Sequence, residues 1–404
     1  MRKALRWIGT GFLFLLIALC LAPSVISPFL DRTYYQGPAS SHFDGERFFN
    51  PGADAQAASH GGPGRFLSRM IGGGGERSVW PARVPVTPTV PPRRVEGNEM
   101  LVTWIGHATV LVQSGGLNIL TDPVWSDTVS PFPPIGPERV RAPGVRFEDL
   151  PPIDLVLISH NHYDHLDLPT LKRLWQRDKP VVVTSLGNDT ILRNVGIPAR
   201  FASTDCGRCP GAEALDWGGE TRVDGAAMER WKAVPKGAAP MAMVSVLRNH
   251  HWGSRWGTDR NRALWSAFST RLPGGSIFFA GDTGWGDGSW VDEAAARGPY
   301  RLAIVPIGAY EPRDFMKTNH INPEEAVAIF EKLKPAAALG IHWGTFQLTF
   351  EAIDDPPKRL AALRQARGIA ADRFRATEVG QGWRVPAASP LSPAGRGQGE
   401  GARR

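Results

Sequence analysis

Six consecutive residues constrain this chain more than any other stretch: His160-Asn161-His162-Tyr163-Asp164-His165. They follow directly on the apolar run DLVLIS at 154–159. A buried strand that ends abruptly in imidazoles and a carboxylate presents them on a loop at a sheet edge, and packing alone gives no reason to collect such groups there. Imidazole nitrogen and carboxylate oxygen suit zinc best, and iron or manganese less strongly. His160 and His162 stand two apart and can point to one side of an extended loop, while Asp164 and His165 reach a second position. One ion cannot easily take all four, so the spacing predicts two neighbouring metal ions.

Two ions need more donors than one loop supplies, and the remainder should again sit just beyond buried strands. His251 follows the run at 243–247, Asp282 follows 276–280, and His342 follows 337–341. His250 competes with His251, because strand alternation cannot decide between adjacent residues at a loop entry. His107 and Asp122 read as groups that orient the imidazoles, a usual need of zinc sites.

Strand-like runs at 100–113, 118–121, 154–159, 180–184, 243–247, 276–280, 302–306 and 337–341 are interspersed with helical patterns at 168–178, 323–334 and 357–367. Asp167 is placed to cap the first helix. Asn322 precedes Pro323 and the acidic first turn Glu324-Glu325 of the second. Gly368 stops the third. This mixture predicts an α/β layered sandwich, and 42% hydrophobic residues suffice for its core. The pattern predicts one folded region at 99–385. A Gly/Pro-rich extension at 31–98 wraps it, and a tail at 386–404 lacks apolar periodicity and is expected to be disordered.

The formal charge is +7, but the basic residues are scattered and not interleaved with aromatics, which argues against nucleic acid and fits a phosphate or anionic-lipid partner. Three cysteines, Cys20, Cys206 and Cys209, exclude a disulfide framework, and Cys206-Gly207-Arg208-Cys209 reads as a local structural pair. At the N-terminus the basic MRKALR precedes an uncharged run at 7–27. Its length predicts an uncleaved membrane anchor, with a cleaved signal as the alternative, and an exported remainder.

HNHYDH, GDTG at 281–284 and IHWGT at 341–345, with TWIGHATVLV, NILTDPVWS, HHWGSRW and IGAYEPRDFMKTNHINPEEAV, resemble the metallo-β-lactamase superfamily, and more narrowly its N-acyl-phosphatidylethanolamine-hydrolysing phospholipase D group. The matching stretches span about 101–346. HxHxDH identifies only the superfamily, whereas IGAYEPR with FMK and the following histidine is much narrower. The GHAT and TDP segments carry a weaker likeness to lactonases acting on sugar phosphates. Two departures stand out. Asn249-His250-His251 occupies a place where Gln usually precedes the ligand histidine, and Asp314 replaces a common bulky aromatic.

The resemblance implies a four-layer αββα sandwich with two Zn2+ at one sheet edge. His160, His162 and His251 would hold one ion, Asp164, His165 and His342 the other, and Asp282 would bridge them. It also implies that Tyr163 and His320 contact substrate, and that Asp164, Asp282 and His320 take part in catalysis. Paired divalent ions lower the pKa of a shared water, so a hydroxide nucleophile at neutral pH replaces any Ser or Cys. The expected activity is hydrolysis of an N-acyl-phosphatidylethanolamine-like phospholipid at a membrane. A lactonase or other ester hydrolase is the alternative on the same site, and a tethered binding protein with a vestigial site is the alternative from another class.

Overall fold

The computed structural model describes residues 7, 9–18, 32–52, 77–200, 210–224 and 241–387. A first sheet is built from β1 (Met100–Gly106), β2 (Thr109–Ser114), β3 (Leu117–Thr121), β4 (Leu155–Ile158), β5 (Val181–Ser185) and β6 (Gly211–Leu215). A second holds β7 (Glu220–Asp224), β8 (Met241–Leu247), β9 (Ala267–Arg271), β10 (Ser276–Phe279), β11 (Tyr300–Pro306), β12 (Ala337–Ile341) and β13 (Phe374–Arg375). A last short strand, β14 (Gly382–Arg384), returns to the first sheet beside β1. The orders are β14-β1-β2-β3-β4-β5-β6 and β13-β12-β11-β10-β9-β8-β7.

Each sheet is half antiparallel and half parallel. β14 through β3 and β7 through β10 run antiparallel, while β3 through β6 and β10 through β13 run parallel. Parallel neighbours need crossovers, and helices on the outer faces supply several of them. These are α1 (Leu168–Asp178) and α2 (Asn188–Arg193) on the first sheet, then α3 (Ser289–Ala296), the single turn α4 (Arg313–Met316), α5 (Pro323–Leu333) and α6 (Asp355–Ala366).

Strand β4 shows why the sandwich has inner and outer layers. Leu155 and Leu157 pack between the sheets with Val181, Val183, Phe268 and Phe278, while Val156 and Ile158 pack outward with Leu171 and Leu174 of α1. Both faces are covered, so the strand is continuously apolar and not alternating. The arrangement is the αββα sandwich. A strand so placed ends at the sheet edge, and the HNHYDH loop begins there.

The structure departs from the sequence reading at several elements. The run at 100–113 is two strands: Gly106 (φ 141°) and His107 (φ 52°) turn the chain back, pairing Trp104 with Val110. Strands β6, β7, β9, β13 and β14 carry too few apolar residues to stand out. Asp167 precedes α1 but does not cap it. Its carboxylate accepts instead from the Trp125 and Ser126 amides and the Ser126 and Thr170 hydroxyls. Asn322 does cap α5, in a reciprocal box with Glu325.

The expected membrane-spanning anchor is corrected. Among the described residues no helix is long and apolar enough to cross a membrane. The helical residues there, 7 and 9–18, fall short of the roughly 20 a span requires. The exported placement rested on that anchor and falls with it. The rest of 1–30, Cys206, Cys209 and the tail from 388 onward lie outside the described residues.

Candidate metal centre

The loop after β4 places His160, His162, Asp164 and His165 against residues that follow β8, β10 and β12. Donor atoms of His160, His162 and His251 all lie within 4.8 Å of one another, and those of His107, Asp164, His165 and His342 form a second such group. Asp282 stands between them. Its Oδ2 lies 3.0 Å from His165 Nε2, 3.0 Å from His342 Nε2, 4.0 Å from His251 Nε2 and 3.9 Å from His320 Nδ1. One carboxylate oxygen thus faces four imidazoles from four separate loops.

Three of the rings, His160, His165 and His251, are oriented by a contact on the far side. His165 Nδ1 donates to Asp122 Oδ2 at 2.6 Å. Asp122 also accepts from the Ser159 hydroxyl at 2.6 Å, and the Ser159 oxygen lies 2.9 Å from His160 Nδ1. His251 Nδ1 donates to the Asn319 carbonyl at 2.9 Å, which leaves Nε2 directed at the cluster. His107 Nε2 meets Asp164 Oδ2 at 2.8 Å. The neighbouring His250 turns elsewhere: its Nδ1 donates to the Thr318 carbonyl, and its ring packs so closely on Gly286 that an added Cβ would lie 2.6 Å away. The structure therefore brings His251, and not His250, into the cluster.

Two contributors escaped the sequence reading. Asn249 Nδ2 donates to the Ala280 and Asp282 carbonyls at 2.8 and 2.9 Å, tying the His251 loop to the Asp282 loop. Arg313 donates to the His320 carbonyl at 2.7 Å while paired with Glu325. Nothing local marks either bond, because both join residues on different loops or turns. Tyr163 lies with its ring 3.8 Å from the Arg255 guanidinium carbon and helps wall a cavity of about 280 Å³ bordered by Arg32, Tyr34, Pro131 and Trp256.

Burial sets the protonation of the cluster. It holds His160 and His251 well below the ordinary imidazole range, brings His162 and His107 to about 3, and brings His320 to about 4. Two rings behave oppositely. Against the same burial, Asp282 and Asp164 lift His165 well above that range and His342 to about 9. Burial likewise pushes Asp164 and Asp282 up, but His165 above all holds both well below the usual carboxylate range.

This donor set fits metal. His162 Nε2, His251 Nε2, His320 Nδ1 and Asp282 Oδ1 are buried without a hydrogen-bond partner. Orphaned polar atoms are costly in a core. Here the orphaned imidazoles of His162, His251 and His320, which burial keeps neutral, converge with ionised carboxylates, donors that divalent transition metals take.

Fold and donor set together define a metal-dependent hydrolase. Residues 117–343 match the β-lactamase superfamily domain, and the chain belongs to the metallo-β-lactamase superfamily. It is 36% identical, over 70% of its own length and 75% of the relative's, to N-acyl-phosphatidylethanolamine-hydrolyzing phospholipase D 1 of Caenorhabditis elegans. It is 31% identical, over 72% of its length and 58% of the relative's, to the mitochondrial N-acyl-phosphatidylethanolamine-hydrolyzing phospholipase D of Saccharomyces cerevisiae. A solved structure of a possible metal-dependent hydrolase from Veillonella parvula shares the fold, with a TM-score of 0.50 at 13% identity, covering 70% of this chain and 99% of that one.

Proposed function

We propose that this chain is a dinuclear zinc phosphodiesterase of phospholipase D type, cleaving N-acyl-phosphatidylethanolamine-like lipids to phosphatidic acid and an N-acylethanolamine. His160, His162 and His251 would hold one ion, Asp164, His165 and His342 the other, and Asp282 both. Metal ions bound there would polarise a phosphoryl oxygen and supply a nucleophile from water at neutral pH.

The protein's own groups hold and orient. Asp122 and the Asn319 carbonyl keep His165 and His251 in the tautomer that points Nε2 inward. His107 donates to Asp164, which leaves that carboxylate a weak base. His320 is neutral at physiological pH, so one of its ring nitrogens carries a hydrogen to offer a phosphoryl oxygen and the other can accept. Tyr163, beside the cavity, is assigned to substrate binding.

The observation that carries the reaction class is Asp282 Oδ2, which lies within 4.0 Å of imidazole nitrogens from both donor sets. The lipid assignment rests on the likeness to the worm and yeast proteins. Turnover of a radiolabelled N-acyl-phosphatidylethanolamine is expected to exceed turnover of lactones on purified protein, and to vanish with chelator. Faster lactone hydrolysis would overturn the phosphodiesterase reading.

A further inference from the structure

The segment 32–50 precedes the matched superfamily region and lies over the loop that carries His251. Phe43 and Phe48, each 1% exposed, pack with Leu264 and Trp265. The Phe48 amide donates to the Asn261 carbonyl at 2.8 Å, Arg47 donates to the Thr258 and Arg260 carbonyls, and Glu46 pairs with Arg262 at 2.6 Å. Tyr34 donates to Asp259 at 2.7 Å. These contacts clamp 258–265 as a unit.

Asn50 reaches further, to the site itself. Its Nδ2 donates to the His251 carbonyl at 2.9 Å, and its Oδ1 accepts from Trp265 Nε1 at 3.1 Å. The indole is fully buried, so the amide is held in one orientation. His251 is thereby fixed twice. Asn50 holds its main chain from one side, and the Asn319 carbonyl holds its Nδ1 from the other. Metal–nitrogen bonds tolerate only about ±0.2 Å, so a ligand on a loop needs its backbone held as well as its ring.

We infer that Asn50 is a positioning residue for the metal centre: the N-terminal strap, through this one amide, sets the direction from which His251 meets a metal ion. The inference rests on the reading of His251 as a ligand. Asn50 acts through the main chain of a neighbour and contacts neither metal nor substrate.

Two variants of the full chain test it. Asn50→Asp keeps the acceptor for Trp265 and replaces the donor to His251 with a repelling oxygen. Asn50→Leu removes both bonds at similar volume. Zinc affinity is measured by chelator competition, the site symmetry by the visible spectrum after cobalt substitution, and the fold by the melting temperature of chelator-stripped protein. The expected result is a roughly 10- to 100-fold loss of zinc affinity, the range seen for groups that orient ligands, with a shifted cobalt spectrum in both variants. The stripped Asn50→Asp protein should melt within about 2 °C of wild type, since the strap stays docked. Unchanged affinity and spectrum in both variants would overturn the inference while leaving the metal centre intact. So would an affinity loss that only tracks a collapse of the stripped fold. Wild-type protein that binds no zinc would overturn the metal reading itself.

Discussion

At the residue scale, the site works by holding few atoms from many directions. Asp282 is the focus, since its Oδ2 faces rings from four loops. Asp282→Ala is expected to abolish measurable turnover and to leave fewer than two metals per chain by elemental analysis, because both donor sets lose their shared oxygen. Asp122 is a different case. It touches no substrate, yet it accepts from His165 Nδ1 at 2.6 Å inside a fully buried pocket. Its backbone is left-handed (φ 31°), which Asn tolerates. Asp122→Asn therefore preserves shape and presents an N–H to an N–H. The expected outcome is about a 10- to 100-fold drop in metal affinity, read by chelator competition, with the fold retained by circular dichroism. His320 separates from both. Its substitution by Ala should lower kcat by about 100-fold, as for a group that assists proton or charge transfer, with the metal content of wild type. Loss of metal in His320→Ala would show that it is a ligand instead.

At the element scale, strand ends deliver the chemistry and a helix cap steadies it. Each donor loop follows a strand, β4, β8, β10 or β12, that is paired on both sides within its sheet, so the loop starts from a rigid edge. Helix α5 begins with Asn322 accepting from the Glu325 amide and Glu325 accepting from the Asn322 amide, both at 3.0 Å. The same Glu325 pairs with Arg313, which donates to the His320 carbonyl. A helix cap and a site residue therefore share one network. Asn322→Ala should cost about 1 kcal/mol. In a chain of this size that is a fall of about 2 °C in melting temperature by calorimetry. Arg313→Ala is expected to raise KM and lower kcat together at constant metal content, because His320 loses the bond on its carbonyl.

At the scale of the whole molecule, metal binding and folding are linked. The donors are brought together only when both sheets are packed, so a bound ion favours the folded state. Chelation is expected to lower the melting temperature and remove activity, and added zinc to restore both. The pH dependence has a definite sign. Imidazoles must be neutral to bind metal. His165 is held well above the ordinary imidazole range and His342 at about 9, so protons compete at these two rings already at neutral pH, and metal content after dialysis should rise toward the alkaline side and fall toward the acid side.

Much of this was legible in the chain before any fold was known. HNHYDH after an apolar strand, with His251, Asp282 and His342 each beyond another, is a local pattern that strand burial and metal-ligand chemistry make readable. Other features were decided in three dimensions. The break of 100–113 at His107 depends on one residue adopting a left-handed backbone. Asp167 gave up its helix cap for four partners, two of them amides 41 and 42 positions away. The choice of His251 over His250 turned on Thr318, Asn319 and Gly286, and the strap's hold on the site turned on Asn50 across 201 positions. An apolar run long enough to suggest a membrane span did not yield a helix of that length among the described residues. Residue types and periodicity are properties of neighbours along the chain and can be read from it. A hydrogen bond between distant loops depends on how two sheets pack, and only the assembled structure sets that distance.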